Sequence, residues 1–385
     1  MRLKMKLLFV NLPFSGHIFP TLGLVKELTK RNVEVTYLIT LEWEERVRAA
    51  GAEFSSYENH KKLSVQMRNA YDAALKIADQ FDLIIYEQYF FLGKHLAEKC
   101  NKPVVRIFTP LAANDKLMDM YLNAGGMFRI FRSDFICRKW TRKVANGIPL
   151  KTDSWLKEIT HNPPELNLVY TIKEYQPYAN EFPDEHYKFL GPSIYQRNQE
   201  PVISIENIKK PLIYISLGTV LNISEKFYKK CFSAFKNENV SVVMSVGNKV
   251  DLDNLGDIPD NFLVYPFVPQ LDVLKKADVF ITHGGFNSIS EALYFGVPMV
   301  VIPAITDQPV NASRIVELNL GKRLNIKHIT VALLNGTTIS VLHDDKIRQN
   351  ILDMQKKMRT AGGNKYGADL IINYAAKDAM GKWPV

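Results

Sequence analysis

Short runs of apolar, often β-branched residues alternate with stretches of helical apolar spacing along most of the chain. In the first half the runs are Lys6–Asn11, Val33–Leu38, Leu83–Tyr86 and Val104–Phe108, with helical spacing over Leu22–Lys30 and Lys94–Cys100. Runs that are apolar at successive positions suit strands buried on both faces. Strand–helix–strand order then calls for a parallel sheet with helices packed on it. The pattern weakens between Gly125 and Pro183, where strand signals survive at Leu166–Thr171 and Lys188–Leu190. It resumes with strands expected at Leu212–Leu217, Val240–Val246, Phe262–Tyr265, Val279–Thr282 and Met299–Ile302. Helical spacing separates them at Phe227–Phe235, Leu271–Lys275 and Ser288–Phe295, and follows at Ala312–Leu318. A chain of 385 residues has room for two such domains. The expected architecture is therefore α/β, two doubly wound parallel-sheet domains facing across a cleft. Residues 1–195 form the first and 211–370 the second, joined by a polar linker at 196–210. Residues 371–385 are expected to pack back on the first domain. Ligands in such sheets sit beyond the carboxyl ends of the strands.

Composition removes other classes. Hydrophobic residues at 46% and charged residues at 23% exclude a disordered, collagen-like or coiled-coil chain. Three scattered cysteines, Cys100, Cys137 and Cys231, make no disulfide framework or zinc spacing, and point to a reducing, cytoplasmic setting. The basic, then apolar start imitates a leader peptide, but Asn11 and Pro13 break it, and a buried first strand is expected instead. No stretch reaches the length of a membrane span. The net charge of +9 is spread along the chain, and nucleic-acid motifs are absent. The segment Phe128–Lys143 interleaves aromatic and basic residues. It reads first as a helix with an aromatic core stripe and a solvated basic face; the alternative is peripheral contact with a membrane.

Two loops carry chemistry. The first runs from Asn11 to Pro20, after a strand and before a helix. It is neither a dinucleotide fingerprint nor a Walker loop, and it presents His17 beside Gly16. A histidine there suits general-base work near neutral pH, or a plain helix cap. The second cluster holds Pro266–Gln270, Ile281–Ser288, Glu291, Gly296–Pro298 and Asp307-Gln308. The glycine turn before Ser288 opens a helix, and helix N-termini bind phosphate. His283, Asn287 and Ser288 add side-chain donors, and Glu291, one turn on, suits a diol such as ribose. Asp251-Leu-Asp253 imitates a metal-binding pair within a polar loop.

The second cluster resembles the donor half of the family 1 UDP-glycosyltransferases of GT-B fold. The matching motifs are Phe267-Val-Pro-Gln270, His283-Gly-Gly-Phe-Asn-Ser-Ile-Ser-Glu291, Gly296-Val-Pro298 and Asp307-Gln308. The resemblance implies two Rossmann-like domains, a UDP-sugar co-substrate, and no metal or other cofactor. It implies that Phe267 stacks on the uracil while Val268 and Gln270 meet the nucleoside. Glu291 would bind the ribose, and His283, Gly285, Asn287 and Ser288 the diphosphate. Gly218 and Thr219 would approach the donor, and Asp307 and Gln308 would hold the hexose, with glucose favoured.

Gly16-His17-x-x-Pro20 resembles the family's catalytic loop, with His17 as the base for an acceptor hydroxyl. The family orients that histidine with a carboxylate, usually Asp. Counting back from Pro103 and Ala97 puts Glu87 at this place, a methylene longer by about 1.5 Å. Asp115 and Asp119 are the fallback partners. The resemblance thus implies inverting transfer to a hydroxyl of an apolar small molecule or lipid. Phe14, Tyr89 and Phe90 are expected to line its pocket, together with Leu111–Tyr121 and a variable loop at Lys61–Tyr71. The competing readings are a UDP-sugar hydrolase or epimerase, and a non-catalytic auxiliary homologue.

Overall fold

The computed structural model describes residues 4–124, 127–195, 208–218, 225–305 and 307–379. The chain forms two units, each built on one parallel sheet. The first sheet has seven strands: β1 Lys6–Val10, β2 Glu34–Ile39, β3 Glu53–Ser56, β4 Leu83–Glu87, β5 Val104–Phe108, β6 Leu166–Val169 and β7 Tyr187–Phe189. Their order is β3-β2-β1-β4-β5-β6-β7. The second has six: β8 Leu212–Ser216, β9 Ser241–Ser245, β10 Phe262–Tyr265, β11 Val279–Thr282, β12 Met299–Val301 and β13 Gly321–Arg323. Their order is β10-β9-β8-β11-β12-β13. Every pairing is parallel, as the continuous apolar runs require. Leu7 to Val10 and Leu83 to Ile85 are wholly inaccessible to solvent, so both faces of the central strands are covered.

Each sheet has one point where the strand order reverses. In the first it lies between β1 and β4, in the second between β8 and β11. Chain leaving adjacent strands there diverges to opposite faces of the sheet and opens a crevice at their carboxyl ends. Both sheets carry the same stacked aromatic pair beside that point. Phe9 lies over Tyr37 and Tyr214 over Phe280, each at 4.7 Å between ring centroids. Such pairs add about 0.5–1.5 kcal/mol beyond their burial. Each also delivers a hydroxyl to a loop. The Tyr37 hydroxyl takes a hydrogen bond from Asn11 Nδ2 at 2.9 Å, and the Tyr214 hydroxyl donates to Gln270 Oε1 at 3.2 Å.

Several expectations need correction. The strands β3 and β13 carry no apolar run: Glu53-Phe-Ser-Ser56 and Gly321-Lys-Arg323 are edge strands with one neighbour each, so burial does not demand an apolar sequence. The first helix spans Ser15–Lys30 rather than starting at Leu22, with Pro20 inside it, so His17 stands in a helical first turn. Residues 63–77 form a helix, Leu63–Ile77, where a variable loop was expected. The chain rejoins the first unit at Arg359, not at 371. There the helix Gly363–Ala379 lies against the first helix, with Arg31 paired to Asp369 at 3.3 Å and bonded to the Lys365 carbonyl. Most of the 196–210 segment lies outside the described residues.

Candidate active site

In the first unit, a cluster of candidate residues stands at the reversal point of the first sheet. Asn11 follows β1, is fully buried, and donates to the Tyr37 hydroxyl and to the His17 carbonyl. This tether and the Phe14 carbonyl, which accepts the His17 N–H at 2.8 Å, fix the first helical turn over the end of β1. Glu87 is the last residue of the neighbouring β4, and Thr109 follows β5, the next strand across. Three adjacent strand ends thus bring together residues separated by 70 and 92 positions. His17 Nδ1 lies 2.9 Å from Glu87 Oε1 and 2.7 Å from Thr109 Oγ1. The Thr109 hydroxyl donates to Glu87 Oε1 at 3.0 Å, and the Tyr89 backbone N–H donates to Glu87 Oε2 at 3.0 Å.

Glu87 has no solvent exposure. A buried carboxylate is tolerable only when donors replace its water, and here three converge on it. With the carboxylate accepting at Nδ1, that nitrogen carries the imidazole proton and Nε2 keeps the lone pair. His17 itself is about one-fifth exposed, and Tyr89 packs edge-on against it at 4.7 Å, with Phe14 at 6.0 Å. Both aromatics are half-buried. Phe90, by contrast, is wholly inaccessible and belongs to the core, which corrects its expected place in an acceptor pocket. Asp115 is engaged elsewhere, accepting from Thr160 Oγ1 and His161 Nε2, and Asp119 is exposed on the same helix, Asp115–Ala124. Glu87 alone of the three carboxylates meets His17. Thr109 escaped the sequence reading; the available signal was a hydroxyl-bearing residue directly after the strand expected beside that of Glu87.

In the second unit, a separate cluster stands at the reversal point of the second sheet. Gly218 follows β8 and His283 follows β11. The imidazole of His283 is held between two glycines. A Cβ at Gly218 would lie 2.7 Å from its Cε1, and one at Gly285 would lie 2.6 Å from its Nε2. Gly218 also has a φ of +74°, so this close approach needs glycine twice over. Gly285 then caps the helix Phe286–Phe295, whose first turn carries Asn287 and Ser288. Phe267 is 40% exposed, a ring with a free face, whereas Val268 is buried. Gln270 gathers the next group: its amide nitrogen donates to Glu291 Oε2 and to Ser288 Oγ, while its oxygen accepts from Tyr214.

After β12, Asp307 Oδ2 accepts from Asn311 Nδ2 at 2.8 Å, and the same amide nitrogen reaches the Gly284 carbonyl at 3.0 Å. Asn311 is fully buried and ties the loop after β12 to the loop after β11, a connection not anticipated from sequence. Gln308 turns one amide atom into its own loop. It is 5% exposed, and its Oε1 accepts the backbone N–H groups of Ala304 and Ile305. That oxygen shapes the loop. Thr219 lies outside the described residues. Asp251 Oδ1 accepts the Asp253 backbone N–H, an ordinary turn contact.

Burial pushes the His283 imidazole below its ordinary value of 6.5, outweighing the Asp307 carboxylate and a backbone contact at Ser216. Its neutral form is the folded one. The unfolded chain therefore binds the proton more readily, and stability falls as the pH drops below 6.5 toward the lowered folded value. Thermal melts between neutral and mildly acidic pH should show a shallower loss for His283→Gln than for the wild type. Equal slopes would mean that His283 takes up its proton as readily in the fold as in the unfolded chain.

Similarity to known proteins agrees with this geometry. The family described as UDP-glucoronosyl and UDP-glucosyl transferase matches residues 203–359. The NDP-glycosyltransferase YjiC of Bacillus subtilis (strain 168) is 34% identical over 397 residues, covering 96% of this chain and 97% of that one. Among solved structures, the glycotransferase of kitacinnamycin superposes with a TM-score of 0.81 at 26% identity, over 96% of this chain and 99% of the other. The calicheamicin glycosyltransferase CalG4 superposes with a TM-score of 0.78, also at 26% identity, over 98% and 99%. With two parallel-sheet units and near full-length kinship to these enzymes, the chain belongs to the UDP-glycosyltransferase family and is a GT-B glycosyltransferase.

Proposed function

We propose that the protein transfers a hexose, glucose by preference, from a UDP-sugar to a hydroxyl of an apolar, natural-product-like acceptor, with inversion at the anomeric carbon. The observation that carries this reading is the buried Glu87 carboxylate on His17 Nδ1, which leaves Nε2 as the base. His17 Nε2 takes the acceptor proton as the acceptor oxygen attacks the anomeric carbon. The new C–O bond forms on the face opposite the breaking bond to phosphate, and UDP leaves. Glu87 stabilises the imidazolium that results, and Thr109 and the Tyr89 N–H hold Glu87 in place. Phe267 offers a stacking face to the uracil and Glu291 a carboxylate to the ribose. His283 as a neutral hydrogen-bond donor and the N-terminus of the helix Phe286–Phe295 stabilise the departing diphosphate. Asp307 serves the hexose. The names of the kitacinnamycin and calicheamicin enzymes support natural-product acceptors. Three free cysteines support a cytoplasmic setting, and no described helix is long and apolar enough to cross a membrane.

The test is UDP release from UDP-glucose with and without phenolic, macrocyclic and lipid hydroxyl acceptors. Release that depends on an acceptor, with a β-glycoside as product, is expected. Acceptor-independent release would replace this reading with a hydrolase or epimerase. Tight UDP binding without release on any acceptor would point to a non-catalytic homologue.

A further inference from the structure

The segment following the helix Asp115–Ala124 is used by neither cluster of candidate site residues. It comprises a tight helical turn, Met127–Arg132, and the helix Asp134–Val144. The inward face of that helix is Cys137, Thr141 and Val144, all buried. Trp140 completes it, packed edge-on against Phe131 and Trp155 at 5.4 and 5.8 Å. The aromatic residue expected to extend this core stripe, Phe135, instead points outward. It is 73% exposed, with Ile136 at 43% and Ile130 at 55%. Around these apolar tips stand Arg129, Arg132, Lys139, Arg142 and Lys143, all exposed. None of the five makes an ion pair among the described residues; the sixth cation, Arg138, is paired with Asp153 at 3.0 Å. Asp134 is the only carboxylate between residues 129 and 143. Phe135, Lys139 and Arg142 recur at helical spacing and line, with Asp134 and Arg138, an open depression of about 620 Å³.

We propose that this face docks the protein on an anionic lipid bilayer. Phe135, Ile136 and Ile130 enter the boundary between headgroups and acyl chains, and the five unpaired cations meet lipid phosphates. Two features favour a bilayer over an acidic protein partner. The apolar residues are separate projecting tips, which suit a fluid interface better than a fitted pocket. Two of the cations are lysines, which protein interfaces disfavour but which readily reach lipid headgroups along their flexible stems. The proposal is independent of the reaction assigned above, since it uses none of the site residues.

The experiment is vesicle flotation of the full chain. Vesicles of phosphatidylcholine alone are compared with mixtures containing phosphatidylglycerol, at low and at high salt. Binding to the anionic vesicles at low salt, released by high salt, is expected. Lys139→Gln and Arg142→Gln should each weaken partitioning by about fivefold, the effect of one surface cation. Phe135→Ser should weaken it by a comparable factor without changing the salt dependence. The cooperative thermal melts of all three variants should match that of the wild type, which reports intact folding. No flotation with anionic vesicles at low salt would overturn the proposal. So would flotation unaffected by the three substitutions, or substitutions that impair only the capture of an acidic protein.

Discussion

His17→Ala is expected to lower kcat/KM for acceptor glycosylation by about 10²–10⁴-fold, the usual worth of a positioned general base. In free energy this is about 3–5 kcal/mol of transition-state stabilisation. UDP affinity should stay within about twofold of wild type, because the residues proposed to hold the donor all lie in the second unit. The fold should tolerate the change. His17 is one-fifth exposed, and Glu87 keeps its hydrogen bonds from Thr109 and the Tyr89 N–H when the imidazole is removed. Steady-state kinetics and UDP titration on one preparation separate the effects. A variant that retains a tenth or more of its activity would show that the acceptor loses its proton to another group.

Glu87→Gln is expected to cost about 10²–10³-fold in kcat with little change in KM for the donor. The amide keeps the volume but removes the charge that stabilises the imidazolium, and its NH₂ competes for the imidazole tautomer; loss of such a carboxylate elsewhere costs up to about 10⁴-fold. The sharper comparison is Glu87→Asp, which restores the residue common in the family. Retreat by about 1.5 Å would break the 2.9 Å contact to His17 and the 3.0 Å contact to Thr109. An activity loss of about tenfold or more is therefore expected, because this site is built around the longer arm. Thr109→Val should produce a smaller loss, and Thr109→Ser should restore most of it, since only the hydroxyl is used. If Glu87→Asp is as active as wild type, the carboxylate position is not set by these contacts.

Much of the fold was legible because burial on both faces leaves a strong mark. Strands β1, β4, β5, β8 and β11 lie between two helical layers and are apolar at most positions, and their runs stand out in the chain. The edge strands β3 and β13 face no such demand and left no run to read. The start of the first helix was hidden for a different reason. Gly16 and Pro20 are poor helix formers, yet tethering of Asn11 to Tyr37 and to the His17 carbonyl holds the turn helical.

The site divides along the same line. The motifs from Phe267 to Gln308 are local, so their order and their helix and loop placement were visible in sequence alone. So was His17 after the first strand. The choice among Glu87, Asp115 and Asp119, the part played by Thr109 and the burial of Phe90 depend on which strand ends become neighbours. Those contacts join residues 22 to 92 positions apart. Periodicity and local motifs report what a residue does to its own segment. Only the strand order β1-β4-β5 places a hydroxyl, a carboxylate and an imidazole within 3 Å of one another. Outward or inward orientation at Phe135 likewise depended on which side of its helix found the tryptophans.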